Sequence, residues 1–175
     1  MIKKIANASP LGSLGFGMTT ILFSVVNAGF FGMNVMLLSM AIFLGGITQV
    51  VSGLLEYRKG NTFGYVSYTM FGLYWFTIAS IYTILLFVPN ISASTSFMAT
   101  FYLLWTVFSF MLFLQTLKMD RLTNVIFLTV VLLFGTITLK SITEIGIVGN
   151  LSGWIGILCG SLAMYSAYKG LNVTL

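Results

Sequence analysis

Residues 122–139 read LTNVIFLTVVLLFGTITL, an uncharged run that lies between Arg121 and Lys140. A hydrocarbon core of about 30 Å requires about 20 predominantly apolar residues in a helix, so this run is typical of a transmembrane helix. Further apolar runs of this kind occupy 11–31, 34–55, 63–87, 97–117 and 146–168. The sequence therefore predicts an all-α integral membrane protein with six transmembrane helices in one bundle.

The composition leaves little of the chain outside the membrane. Of 175 residues, 58% are hydrophobic and only 6% are charged, whereas an ordinary soluble domain is about 25% charged. Because six crossings use almost all of this length, we predict a single domain. Its expected limits are 11–168, between a cytoplasmic N-terminal segment at 1–10 and a cytoplasmic C-terminal tail at 169–175.

The positions of the basic residues indicate the orientation. Cytoplasmic loops of membrane proteins carry an excess of Lys and Arg. With six crossings, one side of the membrane receives Lys3, Lys4, Arg58, Lys59, Lys118, Arg121 and Lys169, and the other side only Lys140. Both termini are therefore predicted to be cytoplasmic, and topology rather than nucleic-acid binding explains the net charge of +5. Short loops and the lack of a targeting segment favour a prokaryotic plasma (inner) membrane.

Catalytic and metal-binding side chains are scarce. The chain has no histidine and one cysteine, which excludes histidine-based triads, zinc sites with histidine ligands and intrachain disulfides. The three acidic residues, Glu56, Asp120 and Glu144, fall at predicted helix ends or in loops, away from the positions usual for a proton relay. We therefore predict that the protein is not an enzyme and uses no cofactor or metal.

Two amides within the predicted helices stand out among the uncharged polar residues. Asn27 and Gln49 would be costly in hydrocarbon, so each is expected to face a neighbouring helix or a water-filled path. These features favour a conduit over an enzyme. By themselves they leave open a structural protein or a membrane sensor.

Small residues and helix-start signals give local predictions. Gly149, Gly153, Gly156 and Gly160 form a stripe on one face of the last helix, where another backbone could approach closely. Contact within one subunit and contact between subunits are equally compatible with this stripe. At the start of the first helix, Ser9-Pro10 is expected to supply a capping hydroxyl and a proline suited to the first turn.

Segments along nearly the whole chain resemble one known family. They read NASPLG at 7–12, GFGMTT at 15–20, GLLEYRKGNTFG at 53–64, and GWIG at 153–156 followed by CG at 159–160. In this order they are similar to the signatures of the acetate uptake transporter family. The first signature of that family reads NPAPLG, so Ala8 stands where its first proline would be.

The resemblance implies transport of small monocarboxylates. Acetate is the expected substrate, with succinate or lactate as further candidates, carried by a channel or a proton-linked permease. Subunits of this family are homohexameric, and each has its own pore. The family's hydrophobic constriction corresponds to Phe16, Phe71 and Val130, with Phe71 in place of the usual tyrosine and Val130 in place of leucine. A smaller residue at position 130 is expected to admit bulkier acids.

Further residues are candidates for contact with the substrate. Those expected from the matched signatures or from hydroxyls near the constriction are Asn7, Pro10, Leu11, Gly12, Thr19, Thr20, Tyr68 and Ala163. The expected partners are small carboxylates, the lipid bilayer and copies of the same chain, and no nucleic acid. Two alternatives stay open, which are a channel for urea or short-chain amides and a non-transporting membrane sensor.

Overall fold

The computed structural model describes residues 6–171, which are helical throughout apart from short connections. Six helices in this part of the chain are long and apolar enough to cross a membrane, in agreement with the predicted all-α fold. They are α1 (Ser9–Asn27), α2 (Val35–Arg58), α3 (Thr62–Phe87), α4 (Thr95–Thr116), α5 (Arg121–Thr143) and α6 (Gly146–Leu171). The predicted tail at 169–175 is thus helical as far as Leu171, and residues 1–5 and 172–175 lie outside the described part.

The helices form a ring in the order α4, α5, α6, α1, α2, α3, with α1 packed most extensively against α6. Large aromatic side chains close the ring between α3 and α4, where the Tyr74 and Trp105 ring centroids are 5.0 Å apart. The buried core lies at the centre of this ring. Alternate helices α1, α3 and α5 therefore each present a face to the same central region.

The first helix ends at Asn27, four residues before the predicted end at 31. Gly29 adopts a left-handed conformation with φ of 85°. The amide of Phe30 then bonds back to the carbonyl of Val25 at 3.0 Å, which closes the helix end. The apolar run continues to position 31, but glycine accommodates the positive φ that stops the helix.

The predicted cap at the start of α1 was only partly correct. Pro10 lies in the first turn as expected, but Ala8 occupies the capping position and no side chain caps the helix. The Ser9 hydroxyl donates a hydrogen bond to the Glu56 carboxylate instead, at 3.1 Å. Because Ala8 contributes its backbone carbonyl, which accepts a bond from the Ser52 hydroxyl at 2.7 Å, the side chain of residue 8 is not needed for this contact.

Side-chain caps mark the starts of other helices. The Asn34 side chain accepts bonds from the first amides of α2, and Asp120 accepts bonds from the amides of Leu122 and Thr123 at the start of α5. The Thr123 hydroxyl also donates to Asp120 at 2.6 Å. This hydrogen bond, followed by those from the backbone amides, lowers the pKa of Asp120 despite partial burial. The negative charge of the Asp120 carboxylate is stabilising at the N-terminus of α5, where the backbone amides carry partial positive charge.

The middle of α2 is a π-helix over Ala41–Thr48, a feature that the apolar pattern did not predict. The Thr48 hydroxyl donates to the Phe43 carbonyl at 3.0 Å, five residues back. Short π-helical stretches often occur at functional sites. This stretch ends directly before Gln49, and its register sets the direction in which that amide points.

The glycine stripe of α6 makes contacts within the subunit. A methyl group on Gly160 would lie 2.6 Å from the carbonyl oxygen of Gly17. Gly153 faces Ala28, which directly follows α1, and Gly156 faces Ser24 of α1 in the same way, while Gly149 faces the Lys140 side chain of α5. Of the two readings open from the sequence, the structure supports the one in which the stripe packs α6 against its own chain.

Candidate substrate pathway

A cavity of about 280 Å³ lies at the end of the bundle that holds the α2–α3 and α4–α5 connections. We call it the inner cavity, since the basic residues predict this end to be cytoplasmic. Its mouth contains Asn7 and Asn61, and its wall carries the hydroxyls of Ser13, Ser67 and Thr123. The inner cavity is thus polar at the opening and leads toward the centre of the membrane.

On α1, α3 and α5, the lining residue farthest from the mouth contributes to the floor of the inner cavity. These residues are Phe16, Phe71 and Val130, which are 8%, 4% and 1% exposed. The Phe16 and Phe71 ring centroids are 5.6 Å apart. The three residues that the resemblance predicts for the constriction thus line the same cavity. Gln49 and Ala163 complete the floor.

Phe71 is the centre of an aromatic cluster. Its ring stacks on that of Phe134 at a centroid distance of 6.2 Å and an interplanar angle of 4°. It also contacts Trp105 at 6.0 Å and Phe108 at 5.7 Å. Aromatic rings packed in this way present apolar surface and exclude water. The floor is therefore closed beyond Phe71 by the bundle core.

A second cavity of about 340 Å³, the outer cavity, lies at the opposite end of the bundle. Its walls include Phe23 and Asn27 of α1, Tyr82 of α3, Tyr102 of α4 and Lys140 of α5. Phe16 and Phe23 lie seven residues apart on α1, which corresponds to about 10 Å along a helix. The two cavities are therefore separated by only a thin closed layer, which we call the septum.

The septum contains buried polar atoms that have no hydrogen-bond partner in the described part of the chain. They are the hydroxyls of Thr19 and Thr20, the indole nitrogen of Trp75 and the carbonyl oxygen of the Gln49 side chain. The Gln49 amide nitrogen is occupied, since it donates to the Gly45 carbonyl at 2.7 Å. Native proteins seldom leave such groups without a partner, so these atoms are available to a group that enters the septum.

Thr19, Trp75 and Gln49 converge on Gly45 in the π-helical part of α2. A methyl group at Gly45 would lie 2.6 Å from the Trp75 ring and 3.0 Å from the Thr19 methyl carbon. The absence of a side chain at position 45 thus allows these residues to approach one another. Two donors and one acceptor, all unpaired, therefore lie on neighbouring helices in the septum.

A family comparison agrees with this architecture. Residues 1–174 match the sequence model of the GPR1/FUN34/yaaH family. The chain belongs to this family. Among its relatives, the succinate-acetate/proton symporter SatP of Escherichia coli K12 is 39% identical over 168 residues, which cover 94% of this chain and 87% of SatP. An uncharacterized protein of Methanothermobacter thermautotrophicus is 40% identical over 173 residues, covering 93% and 83% of the two chains.

A solved structure of this family has the same fold. It is described as the bacterial acetate channel SatP, and it superposes with a TM-score of 0.93 at 39% sequence identity, covering 97% of this chain and 94% of the other. Six spanning helices and membership of the family together make this chain a multi-pass membrane protein. The two descriptions of SatP differ in mechanism, one naming a symporter and the other a channel.

The remaining predicted contact residues fall into separate groups in this family member. Asn7, Pro10, Tyr68 and Ala163 line the inner cavity, whereas Thr19 and Thr20 lie in the septum. Leu11 and Gly12 line neither cavity. Leu11 is 42% exposed at the side of the bundle, and Gly12 is buried against the Tyr68 ring and the Ser52 hydroxyl. Gly12 therefore acts as a packing position that lets Tyr68 reach α1.

The Tyr68 hydroxyl is already hydrogen-bonded within the protein. It donates to the Ser9 carbonyl at 3.0 Å and lies 2.8 Å from the Ser13 hydroxyl. These bonds tie α3 to the start of α1. Tyr68 thus contributes its ring to the cavity wall, while its hydroxyl serves mainly to position the N-terminal segment.

A buried carboxylate near the inner opening was not among the predicted contact residues. Glu56 is 2% exposed and accepts hydrogen bonds from Asn61 at 2.7 Å, Lys59 at 3.0 Å and Ser9 at 3.1 Å. Lys59 also donates to Asn7 at 3.1 Å. The acid, base and amide at 56, 59 and 61 were visible in the sequence, but their long-range partner Ser9 was not.

We expect Glu56→Gln to loosen the N-terminal segment. The amide cannot carry the charge that pairs with Lys59, and its nitrogen would bring a donor where an acceptor is needed. Hydrogen exchange of the backbone amides from 7 to 13 should become at least about tenfold faster, as expected for a loss of 1.4 kcal/mol or more. Glu144→Gln, at the opposite end, should leave exchange in this segment unchanged. Equal protection in Glu56→Gln and the unchanged chain would contradict this role for Glu56.

Proposed function

We propose that the protein moves acetate and similarly small monocarboxylates across the plasma membrane through a path within each subunit. The observation that carries this proposal is the pair of cavities that approach each other along α1, α3 and α5, separated by a septum about 10 Å thick. The relationship to SatP, described as an acetate channel and as a succinate-acetate/proton symporter, supports the choice of substrate. Small carboxylates would enter either cavity and cross at Phe16, Phe71 and Val130.

The septum favours a small, partly apolar acid over an inorganic ion. A dry hydrophobic constriction imposes a large cost on a hydrated charge, whereas a methyl group can pack against the aromatic rings. The free donors of Thr19 and Trp75 can replace water around a carboxyl group. The free Gln49 carbonyl oxygen can accept a bond from the hydroxyl of a protonated acid.

We propose that the substrate itself carries any proton that crosses with it. Of the three acidic residues, Glu56 lies beside Asn61 at the inner opening, Asp120 caps the start of α5 and Glu144 lines the outer cavity, so none lies in the septum. Carboxylic acids titrate at a pKa of about 4, so the neutral form of acetate increases in acidic medium. Transport would then follow the substrate gradient without a carboxylate relay.

The side chains at the constriction suggest how broad the substrate range is. The ring of Phe71 has no hydroxyl, so recognition at this point is steric and apolar. Val130 is only 1% exposed and, as a small side chain, leaves the floor wider than leucine would. We therefore propose that lactate and succinate also pass, more slowly than acetate.

The proposed setting is a homohexamer in the plasma membrane with both termini cytoplasmic. The isolated chain exposes apolar side chains on α4, including Leu104 at 65% and Met111 at 60% exposure. Such surface must face lipid or neighbouring copies of the chain. The mass of the detergent-solubilised complex, measured by light scattering, should correspond to six copies of a 19.2 kDa chain.

Uptake of labelled acetate into proteoliposomes tests the proposed function. We expect uptake above that of empty liposomes, driven by the acetate gradient and inhibited by excess lactate or succinate. An imposed proton gradient should increase uptake only as far as it raises the concentration of neutral acid. Inhibition by urea would instead favour an amide channel, and no uptake above the empty liposomes would favour a sensor.

A further inference from the structure

Lys140 occupies an unusual position in this protein. It lies in the last turn of α5, at the end of the bundle opposite Lys59 and Lys118. Its methylene chain extends over Gly149 of α6, where a methyl group would lie 3.2 Å from the Lys140 Cε. Because glycine leaves this space free, the stem of the lysine is held between α5 and α6, beside the outer cavity that it lines.

The ammonium group of Lys140 has no acidic partner in the described part of the chain. The ion pair found there joins Lys59 to Glu56, at the inner end. Glu144, one helical turn beyond Lys140, lines the same cavity without pairing with it. Membrane proteins disfavour basic residues on the outer side, so a lone lysine there calls for a reason beyond topology.

The surroundings of Lys140 combine polar and apolar groups on a scale suited to a small organic acid. Asn27, Tyr82 and Tyr102 bring an amide and two hydroxyls to the wall of the outer cavity, and Met98 and Ile137 bring apolar surface. A carboxylate needs a cation and hydrogen-bond donors, and the methyl group of acetate needs an apolar neighbour. The cavity of about 340 Å³ has room for such an acid together with water.

We propose that Lys140 and the outer cavity form a loading site for small carboxylate anions, distinct from the septum. The proposal rests on the transport function proposed above. At neutral pH almost all acetate is anionic, and a cation at the mouth of a cavity attracts it and raises its local concentration. Glu144 opposes this attraction through its negative charge. The balance between these two residues sets how well the outer cavity collects its substrate.

Neutralising Lys140 and neutralising Glu144 should change the KM for acetate in opposite directions. We expect Lys140→Gln to raise the KM for acetate entering from the outer side about threefold to tenfold, with little change in maximal rate, as for loss of one charge interaction in a wet site. Glu144→Gln should lower the KM, and Lys140→Arg should retain the original value. The difference between Lys140→Gln and the unchanged protein should shrink at high ionic strength.

Thiol modification of a cysteine at position 140 can restore the positive charge of the lysine or replace it with a negative one. Cys159, the one cysteine of the chain, is fully buried, so the unchanged protein should be insensitive to membrane-impermeant thiol reagents. In Lys140→Cys, a trimethylammonium reagent applied from outside should return the KM toward its original value. A sulfonate reagent of similar size should raise the KM further, which a purely steric or structural role of Lys140 would not predict.

Binding can be measured independently of transport. In the detergent-solubilised protein, acetate should slow acylation of the Lys140 amine at least about twofold relative to Lys118, compared with chloride at equal ionic strength. An unchanged KM in Lys140→Gln, together with no protection by acetate, would overturn the loading site. A wild-type protein that transports no acetate would instead refute the proposed function, while protection of Lys140 would still be the expected result for the site.

Discussion

Replacing Phe16 with alanine is expected to open the septum from the inner side. The Phe16 ring lies 5.6 Å from that of Phe71 and closes the floor of the inner cavity, so its removal lets water approach the free hydroxyl of Thr19. A reduction of the barrier by 1.4 kcal/mol or more would increase the flux of larger acids such as lactate at least about tenfold. Uptake of labelled lactate and acetate by the same proteoliposomes measures the change in selectivity.

A matched phenylalanine separates the constriction from general effects on packing. Phe97 is 80% exposed at the start of α4, far from the septum, so Phe97→Ala should leave the lactate-to-acetate ratio unchanged. Thermal unfolding of Phe16→Ala should also be measured, since loss of a buried aromatic ring costs several kcal/mol. If Phe16→Ala is folded and its selectivity matches that of the unchanged protein, the proposed constriction is wrong.

Adding a methyl group at Gly160 is expected to destabilise the subunit. It would lie 2.6 Å from the Gly17 carbonyl oxygen and 3.1 Å from the Ile21 amide nitrogen, and these backbone atoms cannot move aside as a flexible side chain could. The helices α1 and α6 would have to separate, at a cost of about 1–3 kcal/mol. A lower unfolding midpoint of Gly160→Ala in detergent would show this effect, and Gly160→Leu should not fold.

Gly146→Ala provides the control, because apart from neighbours in its own helix no atom of residues 6–171 lies within 4 Å of the position that its methyl group would occupy. Its unfolding midpoint should be unchanged or slightly raised, as alanine favours helix. If Gly160 instead faced a neighbouring subunit, Gly160→Ala would dissociate the oligomer while each subunit kept its unfolding midpoint. Light scattering on the same samples distinguishes these outcomes.

The number of helices and their approximate limits could be predicted from the sequence. Each spanning helix can be recognised as an apolar run, because its backbone and side chains must be compatible with hydrocarbon over the whole length of the helix. The end of α1 was predicted four residues late because hydropathy does not register the left-handed turn at Gly29. The π-helix at Ala41–Thr48 was missed for a similar reason, since its hydrogen-bond register leaves no mark on the apolar pattern.

The candidate site was predicted in part. Resemblance to the family indicated Phe16, Phe71 and Val130, and the structure places them together at the floor of one cavity. Trp75 and Gln49 were not among the predicted contact residues, although the sequence singled out Gln49 as an amide that must face a partner or water. Which of these polar atoms stay unpaired depends on every neighbouring helix, and so could not be inferred from any one segment.

The sequence by itself determined that this protein resides in a lipid bilayer and that six of its helices can span it. It also determined that Lys140 lies at the end of the bundle opposite the other basic residues. The reason is that the free energy of transferring a residue into lipid is a local property of its side chain. The tertiary structure decided which polar groups have a partner within the protein and which do not. It gave the Tyr68 hydroxyl a partner on α1, it buried Glu56 beside Ser9, and within residues 6–171 it left the Lys140 ammonium without an acidic partner in the outer cavity. Hydrogen bonds and ion pairs join residues that are distant in the chain, so only the packed bundle determines which groups are available to a ligand.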